Sequence, residues 1–315
     1  MRRNTQFACL LAGALAALAP FGASAQMPPD IAAKIKEIGR VVDPPKTAPI
    51  YAPLHEKEPY AGVKVTREQK YGPDARNALD VFTPENATGP LPVYIFVHGG
   101  GFVAGNKRGP NNSPFYDNFM LWAAKNGMVG VNMTYRLAPA NPWPAAPQDI
   151  AAAVKWVRAN IASHGGDPER IFLAGSSAGG AIVGGYIADP RLWPNPNNIG
   201  VKGVLLLAGI YDFTSFPMGK GDQAYVGTDP TKYDERSPLK GIVNSRVPLL
   251  VAYAELDPPG QVKQGEILYA NLCNKNRCPK KVFLPNHSHM STVYAVNTDD
   301  KQLTDAMLEF IKGVK

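Results

Sequence analysis

The chain has 315 residues, 45% of them hydrophobic and 19% charged, with 30 glycines, 30 prolines and three cysteines. That length can bury a large core, and the composition excludes collagen-like, coiled-coil and disordered classes. The formal charge of +7 is spread over scattered lysines and arginines, with no block of five or more. This fits a mildly basic solvated surface and gives no ground for a nucleic-acid partner.

Residues 1–25 read as a targeting segment. Arg2 and Arg3 precede an apolar run from Phe7 to Ala19, and Ala23-Ser24-Ala25 supplies an A-x-A cleavage site. A charged start, a short apolar stretch and small residues predict a cleaved secretory signal, hence a periplasmic or secreted protein. A membrane anchor would need about 20 apolar residues, and this run is shorter. Arg2-Arg3 lacks the residues that usually follow in twin-arginine export, and Cys9 lies inside the run rather than at its end, against lipid attachment.

Residues 26–60 read as a helix and an arm. Ile31, Ile35 and Ile38 recur at helical spacing between Pro28 and Arg40, and Pro-rich Val41 to Pro59 predicts an extended crossing of the domain. From residue 61 onward, strands and helices alternate. Strands are expected over Val63–Lys70, Ala78–Phe82, Pro92–Val97, Met128–Met133, Arg170–Ala174, Val201–Leu207, Val247–Tyr253 and Lys281–Leu284. Helices are expected over Phe115–Asn126, Asp149–Ser163, Ala178–Ala188, Gln261–Leu272 and Asp300–Lys312. PVYIFV and MVGVNM are unbroken apolar runs, as central strands buried on both faces require. Together these predict an α/β fold with a mostly parallel sheet flanked by helices. Asp212 to Ser245 carries few helix or strand signals and reads as a short lid-like excursion.

The chemistry-bearing residues cluster after strands. Gly175-Ser176-Ser177-Ala178-Gly179 follows the strand ending at Ala174 and opens a helix. A serine at such a tight turn projects from the sheet edge near the positive end of a helix dipole, the arrangement of an activated nucleophile. His98-Gly99-Gly100-Gly101-Phe102 follows another strand. Gly100, Gly101 and Ala178 would offer unobstructed backbone N–H groups to a developing oxyanion, while His98 suits a loop anchor better than a base. Downstream, Glu255 and Asp257 follow one strand and His287 and His289 another, in the order nucleophile, acid, base. Asp257 is the preferred acid, Glu255 the reserve, and Asp212 a third candidate equally suited to a turn. His287 and His289 are separated by Ser288, and spacing does not choose between them.

HGGGF, Tyr135-Arg136-Leu137-Ala138-Pro139 and GSSAGG over Gly175–Gly180 resemble the α/β-hydrolase superfamily. Within it they are similar to hormone-sensitive-lipase-like and bacterial feruloyl-esterase-like carboxylesterases. The resemblance runs from about Val63 to the C-terminus and implies an α/β-hydrolase catalytic domain over residues 61–315. It implies Ser177, Asp257 and His289 as a catalytic triad, with Gly100, Gly101 and Ala178 as oxyanion hole. It favours His289 because an apolar residue and the last helical segment follow it. Ser176 stands where hormone-sensitive-lipase relatives often carry Asp, and Pro259-Gly260 follow Asp257-Pro258 in place of Leu and a charged residue.

The expected activity is that of a serine carboxylesterase hydrolysing short-chain or aryl carboxylic esters through an acyl-enzyme. Cleavage of an amide or aryl formamide by the same triad is the alternative. A non-catalytic binding module would not need serine, acid, histidine and glycines together. Phe102, Trp143, Tyr211, Phe213 and Phe216 are candidates for the pocket wall, and apolar residues of the excursion would also suit homodimerisation. In an exported protein Cys273 and Cys278 read as a disulfide closing a small loop, worth about 2 kcal/mol of chain entropy. No metal-ligand cluster, dinucleotide fingerprint or phosphate loop is present in the sequence, so no metal and no cofactor is expected.

Overall fold

The computed structural model describes residues 26–110 and 113–314; the predicted signal segment lies outside them. Eight strands form one sheet: β1 (Val63–Lys70), β2 (Ala78–Pro84), β3 (Leu91–Val97), β4 (Val129–Met133), β5 (Gly166–Ser176), β6 (Gly203–Leu207), β7 (Leu249–Leu256) and β8 (Lys280–Ser288). Their spatial order is β1-β2-β4-β3-β5-β6-β7-β8. The pairings β1–β2 and β2–β4 are antiparallel and every other pairing is parallel. This is the expected mostly parallel α/β architecture.

The apolar runs are explained by a core on each side of the sheet. In β3, Val93, Ile95 and Val97 face Ile150, Val154 and Val157 of helix Ala145–Asn160 and Ile182 of helix Ala178–Ala188. The alternate residues Tyr94 and Phe96 face the opposite layer, with Phe119 and Trp122 of helix Asp117–Lys125 and Met307 and Phe310 of helix Gln302–Gly313. Both side-chain sets of one strand are therefore buried, which erases the polar-apolar alternation of a half-exposed strand. Phe96 stacks on Phe119 with ring centroids 4.0 Å apart.

Two segments are more helical than their composition predicts. Val41–Pro59 contains helix Pro44–Tyr51 and a 3-10 turn over Ala52–Leu54 in place of a continuous extended arm. Asp43 caps it by accepting from the Lys46 N–H at 3.0 Å, and Pro44 and Pro45 occupy first-turn positions where a missing N–H costs little. The excursion from 212 to 245 likewise holds helices Lys220–Val226, Tyr233–Arg236 and Leu239–Asn244, each too short to leave a periodic signal. The N-terminal helix Pro29–Ile38 forms as expected and buries Ile31 and Ile35 in the second core. Among the described residues no helix is long and apolar enough to cross a membrane, and no group of His, Cys, Asp and Glu has metal-site geometry.

The Cys273–Cys278 disulfide is present. It joins the end of helix Pro259–Cys273 to the approach to β8, at the strand's N-terminal side.

Candidate active site

The serine turn is built by close backbone approach. Ser177 stands between the end of β5 and the helix Ala178–Ala188 with φ 57° and ψ −126°, a region that side-chain-bearing residues rarely occupy, and its N–H donates to Leu207 O at 2.9 Å. A side chain at Gly175 would stand 2.4 Å from Gly179 O, and one at Gly179 would stand 2.2 Å from Val97 O. Both glycines are therefore required by packing between the turn, its helix and β3. Ala178 is the first residue of the helix, where an N–H has no intrahelical partner.

The glycine loop after β3 runs against that turn. A side chain at Gly99 would lie 2.9 Å from the Ser177 Cβ. Gly100 has φ 120° and would place a side chain 2.2 Å from Ala104 O, so glycine is needed there on both counts. His98 is fully buried, with Nδ1 2.6 Å from Gly99 O and its ring stacked on Tyr135. Burial lowers its pKa from 6.5 to about 3, so it is neutral at ordinary pH. Tyr135 donates its hydroxyl to His98 O at 3.1 Å, and the Arg136 N–H and Nε donate to buried Asp149 at 2.8 and 2.9 Å. This set of bonds tethers the loops at the sheet edge.

Geometry separates the acid and histidine candidates. His289 Nδ1 is 2.7 Å from Asp257 Oδ1, and the other Asp257 oxygen accepts from the Ala254 N–H at 2.6 Å. Asp257 is completely buried and His289 nearly so. With Nδ1 donating to the carboxylate, His289 presents Nε2 as an acceptor. Glu255 is exposed and accepts from the Asn286 N–H at 2.8 Å, while Asp212 accepts from Thr214 in a local turn. His287 turns away from this group: its Nδ1 is 3.2 Å from Ser291 Oγ and its Nε2 2.9 Å from Asp300 Oδ2. The strand reading for β8 ended too early at Leu284. The strand continues to Ser288, so the two histidines sit on a strand end and a helix start, not on an extended loop.

Two cavities meet at Ser177. One of about 150 Å³ has His289, Gly100 and Gly101 in its wall together with Ser177. The other, about 390 Å³, is walled by Ser177, Gly101, Ala178, Phe102, Ile210 and Phe216, with Asp222, Gln261 and Gln264 as polar members. Burial raises the pKa of the Asp222 carboxyl. Of the five aromatic candidates, Phe102 and Phe216 line this cavity. Tyr211 and Phe213 are instead buried in the core, Tyr211 accepting from the Gly209 N–H at 3.1 Å, and Trp143 lies under the Arg236 guanidinium. A residue that sequence reasoning missed is Val42, which borders both cavities although it is half exposed. Its neighbour Arg40 donates from Nε to Asp257 O at 3.2 Å. No motif marks Val42; its place depends on how the arm folds.

Residues 79–272, more than half the chain, match the family model BD-FAE. A curated relative, the probable carboxylic ester hydrolase LipM of Mycobacterium tuberculosis (strain ATCC 25618 / H37Rv), is 30% identical over 258 residues, covering 72% of this chain and 59% of LipM. The chain spans between 51% and 62% of the length of the first curated relatives it matches. Among solved structures, esterase B from Lactobacillus rhamnosis superposes with TM-score 0.70 at 18% identity, covering 90% of this chain and 94% of its own. A bacterial heroin esterase superposes with TM-score 0.69 at 23% identity, covering 92% and 98%. The shared fold is the α/β-hydrolase fold.

Proposed function

Because the chain belongs to the BD-FAE family, we propose that it is a serine carboxylesterase that hydrolyses short-chain or aryl carboxylic esters through an acyl-enzyme. The observation that carries this reading is the buried Asp257–His289 pair at 2.7 Å, opening on the same cavity as the strained Ser177 turn. His289 Nε2 takes the Ser177 hydroxyl proton as Oγ bonds to the ester carbon. The oxyanion faces the N–H groups of Gly100, Gly101 and Ala178, each such donor typically worth about 3–4 kcal/mol of barrier. Collapse breaks the bond to the alcohol oxygen, which receives the proton from His289. Water then repeats the cycle on the acyl-serine and releases the acid.

The base must reach the departing alcohol, so the small cavity that His289 borders takes the alcohol side. The larger, mostly apolar cavity then takes the acyl group. Its volume of about 390 Å³ suits a short or aromatic acyl chain rather than a long one. A fluorophosphonate probe tests the whole reading: labelling at Ser177, lost in Ser177→Ala together with p-nitrophenyl ester hydrolysis, supports it, and an unlabelled serine refutes it. The same screen over acyl length and amides measures preference. A higher kcat/KM on an amide or on a long-chain triglyceride than on a butyrate ester would overturn the substrate class.

We also propose that residues 1–25 are removed on export to the periplasm or beyond, a reading supported by the Cys273–Cys278 bond, which needs an oxidising compartment. N-terminal sequencing of the mature protein is expected to begin at Gln26, and a chain that retains Met1 would refute it.

A further inference from the structure

We propose that His287 is a positioning residue for His289, acting through Ser291. The inference rests on the reading of His289 as the base. β8 ends at Ser288 and the six-residue helix His289–Tyr294 begins at once, so the first turn of that helix sets where the His289 ring stands. A helix this short has no stability of its own, and its start must be held from outside.

The holding network is buried and directional. Ser288 N–H donates to Ser291 Oγ at 2.8 Å, Thr292 Oγ1 donates to Ser288 O at 3.0 Å, and Ser291 Oγ lies 3.2 Å from His287 Nδ1. Ser291, His287 and Ser288 are each no more than 1% exposed. Proton accounting assigns the direction. Ser291 Oγ already accepts from Ser288, so its single proton goes either to His287 Nδ1 or to Ser288 O, both at 3.2 Å. The Asp300 carboxylate, 2.9 Å from Nε2, draws the ring proton to that nitrogen and leaves Nδ1 as an acceptor. Ser288 O already accepts from Thr292 Oγ1, so the Ser291 proton is assigned to His287 Nδ1.

Asp300 is itself anchored, accepting on Oδ1 from the Gln302 N–H at 3.1 Å at the start of the last helix. Its Oδ2 meets Nε2 outside hydrogen-bond geometry, so this contact orients the ring by charge, and the directed link is the one to Ser291. Tyr51, a further titratable group, is buried beside Ser291 and Asp300, and burial holds its phenol in the protonated form; Lys125, Asp299 and Lys301 border the same hollow as Tyr51 and Asp300. His287 does not border either cavity at Ser177, so it cannot touch substrate there. It serves the reaction by setting the turn.

Three variants test this on one p-nitrophenyl ester, with the acid limb of the kcat/KM pH profile and the melting temperature read alongside. His287→Asn keeps an acceptor near the Nδ1 position, His287→Gln moves its amide toward Asp300, and Ser291→Ala removes one oxygen. Ser291→Ala and His287→Gln are expected to lower kcat about ten- to a hundredfold, with KM within about twofold, since small misplacements of a catalytic group cost rates of that order. Their acid limbs should move to lower pH, because a loosened Asp257–His289 bond stabilises the imidazolium less. His287→Asn should retain kcat within about threefold, and combining His287→Gln with Ser291→Ala should cost no more than either alone. Lowered melting with unchanged kcat and acid limb overturns the proposal, as does equal loss in His287→Asn and His287→Gln. If the His287 variants do not fold, full activity in Ser291→Ala overturns it. His289→Ala serves as the control for the premise: an active His289→Ala removes the underlying reading, whereas an inactive one beside unaffected His287 and Ser291 variants defeats this proposal alone.

Discussion

Ser177, Asp257 and His289 stand within one residue of the ends of β5, β7 and β8, held by the sheet and by short hydrogen bonds such as Asp257 to the Ala254 N–H. The arm over residues 26–60 and the excursion over residues 212–245 reach the same cavities differently, with Val42 and Phe216 carried on short helices and the turns between them. The first region places the proposed reacting atoms at strand ends of one sheet, on the inner strands β5 and β7 and, for His289, after the edge strand β8, where Ser288 and His289 are themselves buried. The second places the walls of the substrate space on segments that can change in sequence without disturbing the sheet. The proposed chemistry and the proposed selectivity thus rest on separable parts of the molecule, and substitutions in each should affect different kinetic constants.

The sharpest test of that division is Ser177→Ala. It should reduce hydrolysis to near background with melting almost unchanged, since alanine meets the same strained φ as serine; retention of more than about a tenth of the rate would sink the nucleophile assignment. Next in size, Asp257→Asn should lower kcat by about 10⁴-fold by favouring the wrong His289 tautomer, while Glu255→Gln, exposed and bonded to the Asn286 N–H, should change it less than about threefold. Equal effects would erase the distinction between the buried and the exposed acid. In the second region, Val42→Trp should narrow both cavities. A drop of about tenfold in kcat/KM for bulky esters with little change for acetate is expected, consistent with the roughly 1–3 kcal/mol that a hydrophobic wall can contribute to discrimination. If acetate and bulky esters fall together, Val42 does not shape the site.

Stability offers a smaller contrast. Burial keeps His98 neutral in the fold down to about pH 3, whereas the unfolded chain takes up a proton near the ordinary 6.5. Its contribution is therefore complete above pH 6.5 and is lost as the pH falls from there toward 3. Between about pH 7 and about pH 5 the melting temperature of His98→Asn should fall less than that of the unaltered protein, although the variant melts lower at neutral pH. Parallel declines would show that His98 is protonated in the folded state.

What could be read from the sequence follows the same division. β3 and β4 were legible because both faces are buried, which makes apolar runs, and the serine turn because Gly175 and Gly179 are required by backbone approach. The histidine pair was not legible by spacing: Ser288 ends a strand and His289 starts a helix, so two residues with one between them face Asp300 and Asp257 respectively. The helix Pro44–Tyr51 was hidden by its prolines: Pro44 and Pro45 stand in a capped first turn, where they favour a helix that composition argues against, although Pro49 lies inside it. Tyr211 and Phe213 could not be told from pocket residues, because aromatic rings look alike in sequence whether they face a cavity or the core.

The smallest effect is expected farthest from the site. Cys273 ends its helix and Cys278 precedes β8, so the disulfide lies at the opposite end of that strand from Ser288 and His289. Opening it releases a small loop, which chain entropy values at about 2 kcal/mol. For a domain of this size that corresponds to a fall in melting temperature of roughly 3 °C on reduction. The ladder of β8 on β7 runs from Leu250↔Lys280 to Leu256↔Ser288 and does not depend on the sulfurs, so the strand end should hold its register. Hydrolysis at ordinary temperature should therefore be the same with and without reductant. A loss of kcat in reductant, well below the new melting point, would show that the far end of β8 controls His289 and would dissolve the separation between frame and site.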